Sequence, residues 1–433
     1  MKVNKLILAS LLFSNVALAV TTAVIDSGVD FNHPQLINRA WQNKNEVING
    51  TDDDYNGLID DVNGWNFSDN NNQLINPKYM HLSKDKEIRE LMALLEGKMS
   101  LEQLSTSELA WLKEVLKRRP NIFDEMSSFG NFMHGTHVAG ITAKDNDADI
   151  MGIKLIPTDD KDTVEKVASQ YASQTKQKGI REKLVSKAVK SLAELQAQGM
   201  QPIGQYLNRN SVAVANCSYG MGYPQAENLA KMLLSKLYLF SPPKKDIDKV
   251  ARNFVNAMNE QQEKYYIKAS PNTLFVFAAG NDGLNNDEFP SAPNNIVAEN
   301  LISVAATDST NKLADFSNYG LRTVDVAAPG VQILSSIPGG GEMKVSGTSQ
   351  AAPYVSNVAS RILEENSTLT AGQVKAILIG TVSKLPFLKG KVKAEGMVNV
   401  ERAVRAARYA KTMSIPVAMA KANAEVPGLV LID

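Results

Sequence analysis

Residues 346–353 read Ser-Gly-Thr-Ser-Gln-Ala-Ala-Pro, a run of small residues that is typical of the start of a buried helix. Gly347 permits a tight approach of the backbone just before Ser349. A serine at a helix N-terminus has its own N–H free, and the helix dipole favours negative charge there. Ser349 therefore lies where an oxyanion would be stabilised, although an isolated run of this kind could supply only a helix N-cap.

Four short apolar runs elsewhere in the chain are each followed by glycine or other small residues. They cover 20–25, 212–215, 274–279 and 301–306. Such runs suit strands that are buried on both faces of a parallel sheet, with helices between them. The sequence therefore predicts a three-layer, doubly wound α/β fold around a mainly parallel sheet, with functional groups at the carboxyl ends of the strands.

Two further residues could form an acid–base system with Ser349. His134 opens the run His-Gly-Thr-His-Val-Ala-Gly, whose small residues would let a helix start close beneath the imidazole. Asp26 follows the apolar run 23–25, so its carboxylate would emerge at the edge of the sheet. Taken singly, a buried histidine is more often structural, and an acid after a strand can serve a metal or a ribose. Together, the three supply the nucleophile, base and orienting group that amide hydrolysis needs.

The combination resembles the subtilisin-like serine peptidases, in which the triad residues follow one another in the order Asp, His, Ser. The resemblance runs from residue 20 to about 407 and rests on seven motifs in the family's order. These motifs lie at 26–28, 134–140, 216–220, 278–281, 315–320, 328–330 and 347–349. The resemblance implies a serine endopeptidase that acts on polypeptides.

The resemblance also implies roles for individual residues. Asp26 would fix the tautomer of His134, and His134 would deprotonate Ser349 and later protonate the leaving amine. Asn281 would join the Ser349 backbone N–H in binding the oxyanion, although its Asn-Asp-Gly context could be only a turn. The implied substrate-binding residues are Ser218, Tyr219 and Gly220, as a backbone edge for an extended substrate, and Ala278, Ala279 and Gly280, as walls of a roomy pocket for the side chain before the scissile bond.

An acidic cluster at 52–61 contains the pattern Asp-x-Asp-x-Asn-Gly. Oxygen ligands at alternating positions, with Gly57 for the sharp turn, resemble a calcium loop. The candidate ligands are Asp52, Asp54, Asn56 and Asp60. Asn63 stands where such a loop carries a bidentate glutamate, so a solvated acidic turn is the alternative.

Helical patterns mark insertions in a peptidase domain that we place at 20–408. Two helices are expected at about 84–119, with Ser100 and Gln103 as a capping box for the second. A further charged helical segment is expected at about 162–198, and another at 225–268, where two prolines interrupt it. Their apolar faces would pack on the body of the protein, with gating of the cleft as the alternative. Residues 409–433 form a C-terminal extension.

The N-terminal residues 1–19 have the pattern of a secretory signal peptide, with two lysines, an apolar stretch and Ala17-Leu18-Ala19. An uncleaved anchor or a buried strand is the alternative, although the apolar stretch is shorter than the roughly 20 residues that span a bilayer. We therefore expect export to a periplasm or the cell exterior without lasting membrane insertion. The family's usual pro-segment has no room before Asp26, and the single cysteine, Cys217, excludes an intramolecular disulfide.

Charge composition argues against nucleic-acid binding, because 46 lysines and arginines balance 46 aspartates and glutamates. Two other functions remain open. One is a catalytically silent subtilisin-fold protein that uses its helical insertions to bind a partner or serve as a scaffold. The other is an enzyme of the same mechanism that acts on esters or performs transpeptidation.

Overall fold

The computed structural model describes residues 20–96, 101–158, 181–235, 238 and 241–429. The predicted signal segment and part of the predicted 162–198 helical segment lie outside these residues. Nine strands form the main sheet: β1 Thr21–Asp26, β2 Gly64–Asn66, β3 Asp149–Lys154, β4 Val214–Cys217, β5 Leu274–Ala278, β6 Leu301–Thr307, β7 Val326–Pro329, β10 Ser383–Lys384 and β11 Gly396–Met397. Their order is β10-β11-β7-β6-β5-β4-β1-β3-β2, and every neighbouring pair is parallel except β10 and β11.

The four predicted strands are the centre of this sheet. They are β6, β5, β4 and β1, in that order across the sheet, and almost all of their residues are buried. A continuous apolar run is required at this position because both faces of the strand are covered by helices. The predicted α/β fold with a mainly parallel sheet is confirmed.

Ten helices are seen in the described residues: α1 Lys86–Leu95, α2 Thr106–Arg118, α3 Ile122–Thr142, α4 Arg181–Arg209, α5 Tyr223–Ser235, α6 Lys244–Tyr265, α7 Thr348–Glu365, α8 Ala371–Gly380, α9 Val400–Tyr409 and α10 Ile415–Glu425. The helices α3, α7, α8 and α9 cover one face of the sheet, where Val355 and Ile362 of α7 pack on Val276 and Val304. The helix α4 covers the other face, where Ile203 packs among the aromatic side chains of β5. A hairpin of β8 Ile333–Ile337 and β9 Gly341–Val345 lies against α3.

The two helices predicted between 84 and 119 are present as α1 and α2, but α2 is not capped by the predicted pair Ser100 and Gln103, of which Ser100 lies outside the described residues. The helix α2 begins at Thr106, where Ser105 Oγ accepts from the Glu108 backbone N–H and Glu108 accepts in return from Ser105 N–H. Gln103 ends a short 3-10 turn instead. A carboxylate also suits the first turn because it complements the helix dipole.

The helix that carries His134 begins 12 residues before it, at Ile122, and not beneath the imidazole as the small residues suggested. The reason is apolar packing, since Phe129 and Phe132 are fully buried against side chains of α1 and α2. The inserted pair of helices therefore extends and covers the N-terminal half of α3.

Within the described residues, the predicted 162–198 segment is helical from Arg181, and this helix, α4, continues past the predicted end to Arg209. The 225–268 segment forms α5 and α6, and α6 starts directly after Pro243. The C-terminal extension contains α10, which packs on α9 through the buried Ala418 and Ala422. Within the described part of the chain, no helix combines the length and apolar character of a membrane-spanning segment.

Candidate active site

Asp26 and His134 meet at the carboxyl end of β1. Asp26 is the last residue of the strand and is fully buried. Its Oδ1 lies 2.7 Å from His134 Nδ1 and also accepts from the Ser27 backbone N–H. Because Nδ1 donates to this carboxylate, the tautomer is fixed with Nε2 unprotonated, and Nε2 can accept a proton.

Gly135 allows α3 to lie directly on the end of β1. A Cβ at this position would lie 2.2 Å from the Gly28 carbonyl oxygen and 3.1 Å from the Asp26 Cβ. The Gly135 N–H donates to Ser27 Oγ at 3.1 Å, which ties the helix to the strand end. The contact between the His134 imidazole and the Asp26 carboxylate therefore depends on the absence of a side chain at Gly135.

The pKa of His134 lies above its usual value of 6.5. Burial of the imidazole lowers this pKa, but the negative charge of Asp26 and the hydrogen bond to it raise it by more. Asp26 thus favours the imidazolium, which is the form that exists after the base has taken a proton.

The second histidine of the same motif has a structural position. His137 is fully buried, its Nε2 lies 2.9 Å from the Met343 carbonyl oxygen, and burial lowers its pKa to about 4. Its Nδ1 contacts Gln350 Nε2 at 3.5 Å, so it joins α3 to the start of α7. His137 stays neutral at physiological pH and packs the two helices together.

Ser349 is the second residue of α7 and lies next to the end of β4. Its Oγ donates to the Ser218 carbonyl oxygen at 3.3 Å, and Ser218 Oγ donates to the Ser349 carbonyl oxygen at 2.9 Å. The strands β1 and β4 are neighbours, with Ile25 opposite Cys217, so Ser218 lies beside Asp26 at the carboxyl-terminal ends of these strands. Among the described residues, Ser349 makes no hydrogen bond to His134.

Asn281 is held with its amide group beside Ser349. Its Oδ1 accepts from the backbone N–H of Thr348 at 2.8 Å and from the Thr348 hydroxyl at 2.9 Å. These bonds use the acceptor side of the amide, so the NH₂ group remains to donate. The preceding Gly280 has φ +110°, and a Cβ there would lie 2.5 Å from Asn318 Nδ2. Glycine is required for this turn out of β5.

A pocket opens beside Ser349 and Asn281. Of the predicted substrate-binding residues, Ser218, Tyr219, Gly220, Ala278 and Gly280 line it. Ala279 does not, because it is fully buried and packs in a separate apolar cluster. The other lining residues, which the sequence did not indicate, are Met221, Gly222, Gln225, Asp282, Ser291, Asn294 and Thr348.

The pocket gives no support to gating by the inserted helices α1 and α2. Its lining comes from 218–225, 278–294 and 348–349, and within the described ranges no residue of α1 or α2 belongs to it. Three of the new lining residues directly adjoin predicted site residues, so adjacency in the sequence could have suggested them: Met221, Asp282 and Thr348.

The acidic cluster in the structure differs from the predicted set of calcium ligands. Carboxylate oxygens of Asp52 and Asp54 lie within 4.8 Å of each other and of Glu46, a residue that the sequence pattern did not indicate. Asp60 lies outside this group, and its carboxylate accepts from the backbone N–H groups of Asn49 and Gly50, as that of Asp52 does from Asn56 and Gly57. Asn56 Oδ1 accepts from the Leu58 N–H. The oxygen cluster is therefore built from Glu46, Asp52 and Asp54.

Comparison with known proteins identifies the family. A sequence model described as the subtilase family matches residues 117–403, which is well over half of the chain. Subtilisin Savinase of Lederbergia lenta is 28% identical over 273 residues, covering 63% of this chain and 77% of that protein. Alkaline elastase YaB of Bacillus sp. (strain YaB) is 37% identical over 132 residues, covering 30% of this chain and only 33% of the elastase. A solved cold-adapted subtilisin-like serine proteinase aligns with a TM-score of 0.43 and 20% identity over 88% of this chain and 86% of its own. The family match shows that the chain belongs to the subtilase family of serine peptidases.

Proposed function

We propose that this protein is an exported serine endopeptidase that hydrolyses polypeptides through an acyl-enzyme on Ser349. The 2.7 Å contact between His134 Nδ1 and the buried Asp26 carries the proposal, because it leaves Nε2 free to act as general base. Ser349 contacts Ser218, which directly follows the strand next to that of Asp26. Membership of the subtilase family supports the same reaction. Export rests on the signal-like pattern of residues 1–19.

The first half of the reaction begins with a rotation of the Ser349 side chain. Its hydrogen bond to the Ser218 carbonyl oxygen is 3.3 Å long, which is weak for a hydroxyl donor, so little is lost when Oγ turns towards His134. Such bonds are often loose before substrate binds and tighten in the complex. Oγ then attacks the scissile carbonyl carbon while its proton passes to His134 Nε2.

The tetrahedral intermediate carries its negative charge on the former carbonyl oxygen. The Asn281 amide and the Ser349 backbone N–H would donate to that oxygen, and the two bonds from Thr348 hold Asn281 in place beforehand. His134 then gives its proton to the leaving amine, and the C–N bond breaks. A water, deprotonated by the same imidazole, attacks the acyl-enzyme, and the proton returns to Ser349 as the acid product leaves.

Substrate binding would use the chain after β4. Residues 218–220 line the pocket next to the nucleophile, and an extended peptide would add as a strand along their backbone. The side chain before the scissile bond would then enter the pocket between 218–220 and 278–280.

We also propose structural calcium in the 46–60 loop. Three carboxylates that converge within 4.8 Å repel one another, and their hard oxygen donors fit Ca²⁺. Glu46, Asp52 and Asp54 would hold the ion. Calcium would neutralise this repulsion and stabilise the loop without taking part in the chemistry.

Digestion of casein by the purified protein tests the proposal. The wild type should cleave casein, and Ser349→Ala should not. The matched control is Ser346→Ala, three residues earlier, whose hydroxyl accepts from the Gln332 N–H at the surface and should be dispensable. A folded wild type without activity on casein and on short peptides would refute the proposal and favour the scaffold alternative.

A further inference from the structure

Asp282 places a negative charge in the wall of the pocket beside Ser349. Its Oδ2 would be 2.3 Å from a Cβ on Gly222, so only the absence of that side chain leaves room for the carboxylate. The backbone N–H of Asp282 donates to Asn318 Oδ1 at 2.9 Å, which holds the residue in place. No lysine or arginine lines the pocket, and among the described residues Asp282 takes part in no ion pair.

Asn294 adds a buried acceptor that has no partner. This residue is 2% exposed, and its Oδ1 forms no hydrogen bond with the described residues. The oxygen lies 3.8 Å from the position of a Cβ on Gly220, a residue of the same pocket. The amide cannot turn over, because its NH₂ group donates to the Ala279 carbonyl oxygen and a reversed amide would set two oxygens against each other.

Two more side chains present oxygen atoms to the pocket. Ser291 is buried and its hydroxyl donates to Asn295 Oδ1 at 3.0 Å, so only its lone pairs remain for a ligand. Gln225 Oε1 would be 2.7 Å from the same Gly222 Cβ position that Asp282 approaches. The pocket therefore combines several acceptors with one carboxyl group, whose pKa is raised above its usual value by burial.

We propose that this pocket selects a lysine or arginine side chain immediately before the scissile bond, and that Asp282 sets this preference. The inference rests on the proposed peptidase activity. Ammonium and guanidinium groups carry only donors and a positive charge, which matches a wall of acceptors. A large apolar side chain would cover Asp282 and Asn294 without supplying a donor, and buried polar groups left unpaired are what make a site reject such a substrate. A glutamate would be repelled by Asp282.

Fluorogenic peptides that differ only in the residue before the scissile bond test this preference. The wild type should show a higher kcat/KM for arginine and lysine than for phenylalanine or glutamate. Asp282 is half-exposed, so its charge pair with the substrate should have an energy between those of exposed and buried pairs. The Asp282→Asn variant should therefore show kcat/KM values about 10- to 100-fold lower for the arginine and lysine peptides, and an unchanged value for the phenylalanine peptide. Asp282→Lys should favour glutamate. The control is Glu288→Gln, which removes an exposed acid of the same loop outside the pocket lining and should change neither rate.

A binding experiment separates this inference from the proposed activity. In Ser349→Ala protein, a peptide ending in arginine should bind more tightly than the same peptide ending in phenylalanine, and Asp282→Asn should abolish the difference. Equal affinities, or a preference for phenylalanine, would overturn the inference even if the enzyme is active. Selective arginine binding by a protein that cleaves no peptide would support the pocket assignment and refute only the catalytic proposal.

Discussion

Replacing Gly135 with alanine should displace His134, the proposed general base, from the carboxylate of Asp26. The new Cβ would lie 2.2 Å from the Gly28 carbonyl oxygen, whereas real Cβ atoms essentially never approach a neighbour within 3.0 Å. Because the obstacle is backbone, α3 and the end of β1 must separate by about 0.8 Å at least. Misplacement of about 1 Å in an active site can reduce the rate about 10²-fold, and overpacking costs about 1–3 kcal/mol of stability.

Gly130→Ala is the matched control. Gly130 lies in the same helix, but no heavy atom is within 4 Å of the position where its Cβ would be. Alanine there should stabilise the helix by up to about 1 kcal/mol and leave the active site unchanged.

Two measurements decide the matter: kcat/KM on a peptide substrate and urea unfolding of each variant. We expect Gly135→Ala to lose about 10²-fold in kcat/KM under conditions in which it is still folded, with Gly130→Ala equal to the wild type. A folded Gly135→Ala protein with wild-type kcat/KM would show that contact between α3 and β1 does not set the geometry of His134 and Asp26.

Three further results are expected. The kcat/KM of the wild type should rise with pH through a midpoint above 6.5, because only neutral His134 can accept the Ser349 proton and Asp26 raises the pKa of His134. In Asp26→Asn the midpoint should fall and kcat should drop about 10⁴-fold. A wild-type midpoint below 6.5 in the pH–rate profile would argue against His134 as the base. Asn281→Leu should lower kcat about 10²- to 10³-fold with KM little changed, and steady-state kinetics that show a change only in KM would exclude an oxyanion role. Chelation of calcium should lower the Tm, and the loss of stability should be about 2.7 kcal/mol if calcium was present at 100 times its Kd. Asp54→Ala should abolish this effect of the chelator on the Tm. A wild-type Tm that does not change with chelator would contradict the calcium site.

The central strands could be predicted because burial on both faces leaves a continuous apolar run in the sequence. The run before Asp26 and the run before Ser218 are neighbouring strands, and the carboxyl ends of parallel strands share one edge. That rule accounts for the position of Asp26 beside Ser218, whose carbonyl oxygen accepts from Ser349 Oγ. It does not account for His134, which α3 brings to Asp26 and which no local pattern in the sequence specifies.

Features that depend on partners distant in the sequence could not be predicted. The early start of α3 follows from burial of Phe129 and Phe132 under α1 and α2, and small residues around His134 gave no sign of it. Glu46 joins the acidic cluster from outside the Asp-x-Asp-x-Asn-Gly pattern. Asn294 reaches the pocket through a loop without periodicity, so its unpaired oxygen appears only in three dimensions.

The most direct test of the account is to map the site of covalent labelling by a fluorophosphonate probe, which reacts with an activated serine. Mass spectrometry of the labelled wild type should find the modification on Ser349, and labelling should be absent in Ser349→Ala and strongly slowed in His134→Ala. Modification of a different residue, or equal labelling of the wild type and Ser349→Ala, would contradict the claim that His134 and Asp26 activate Ser349.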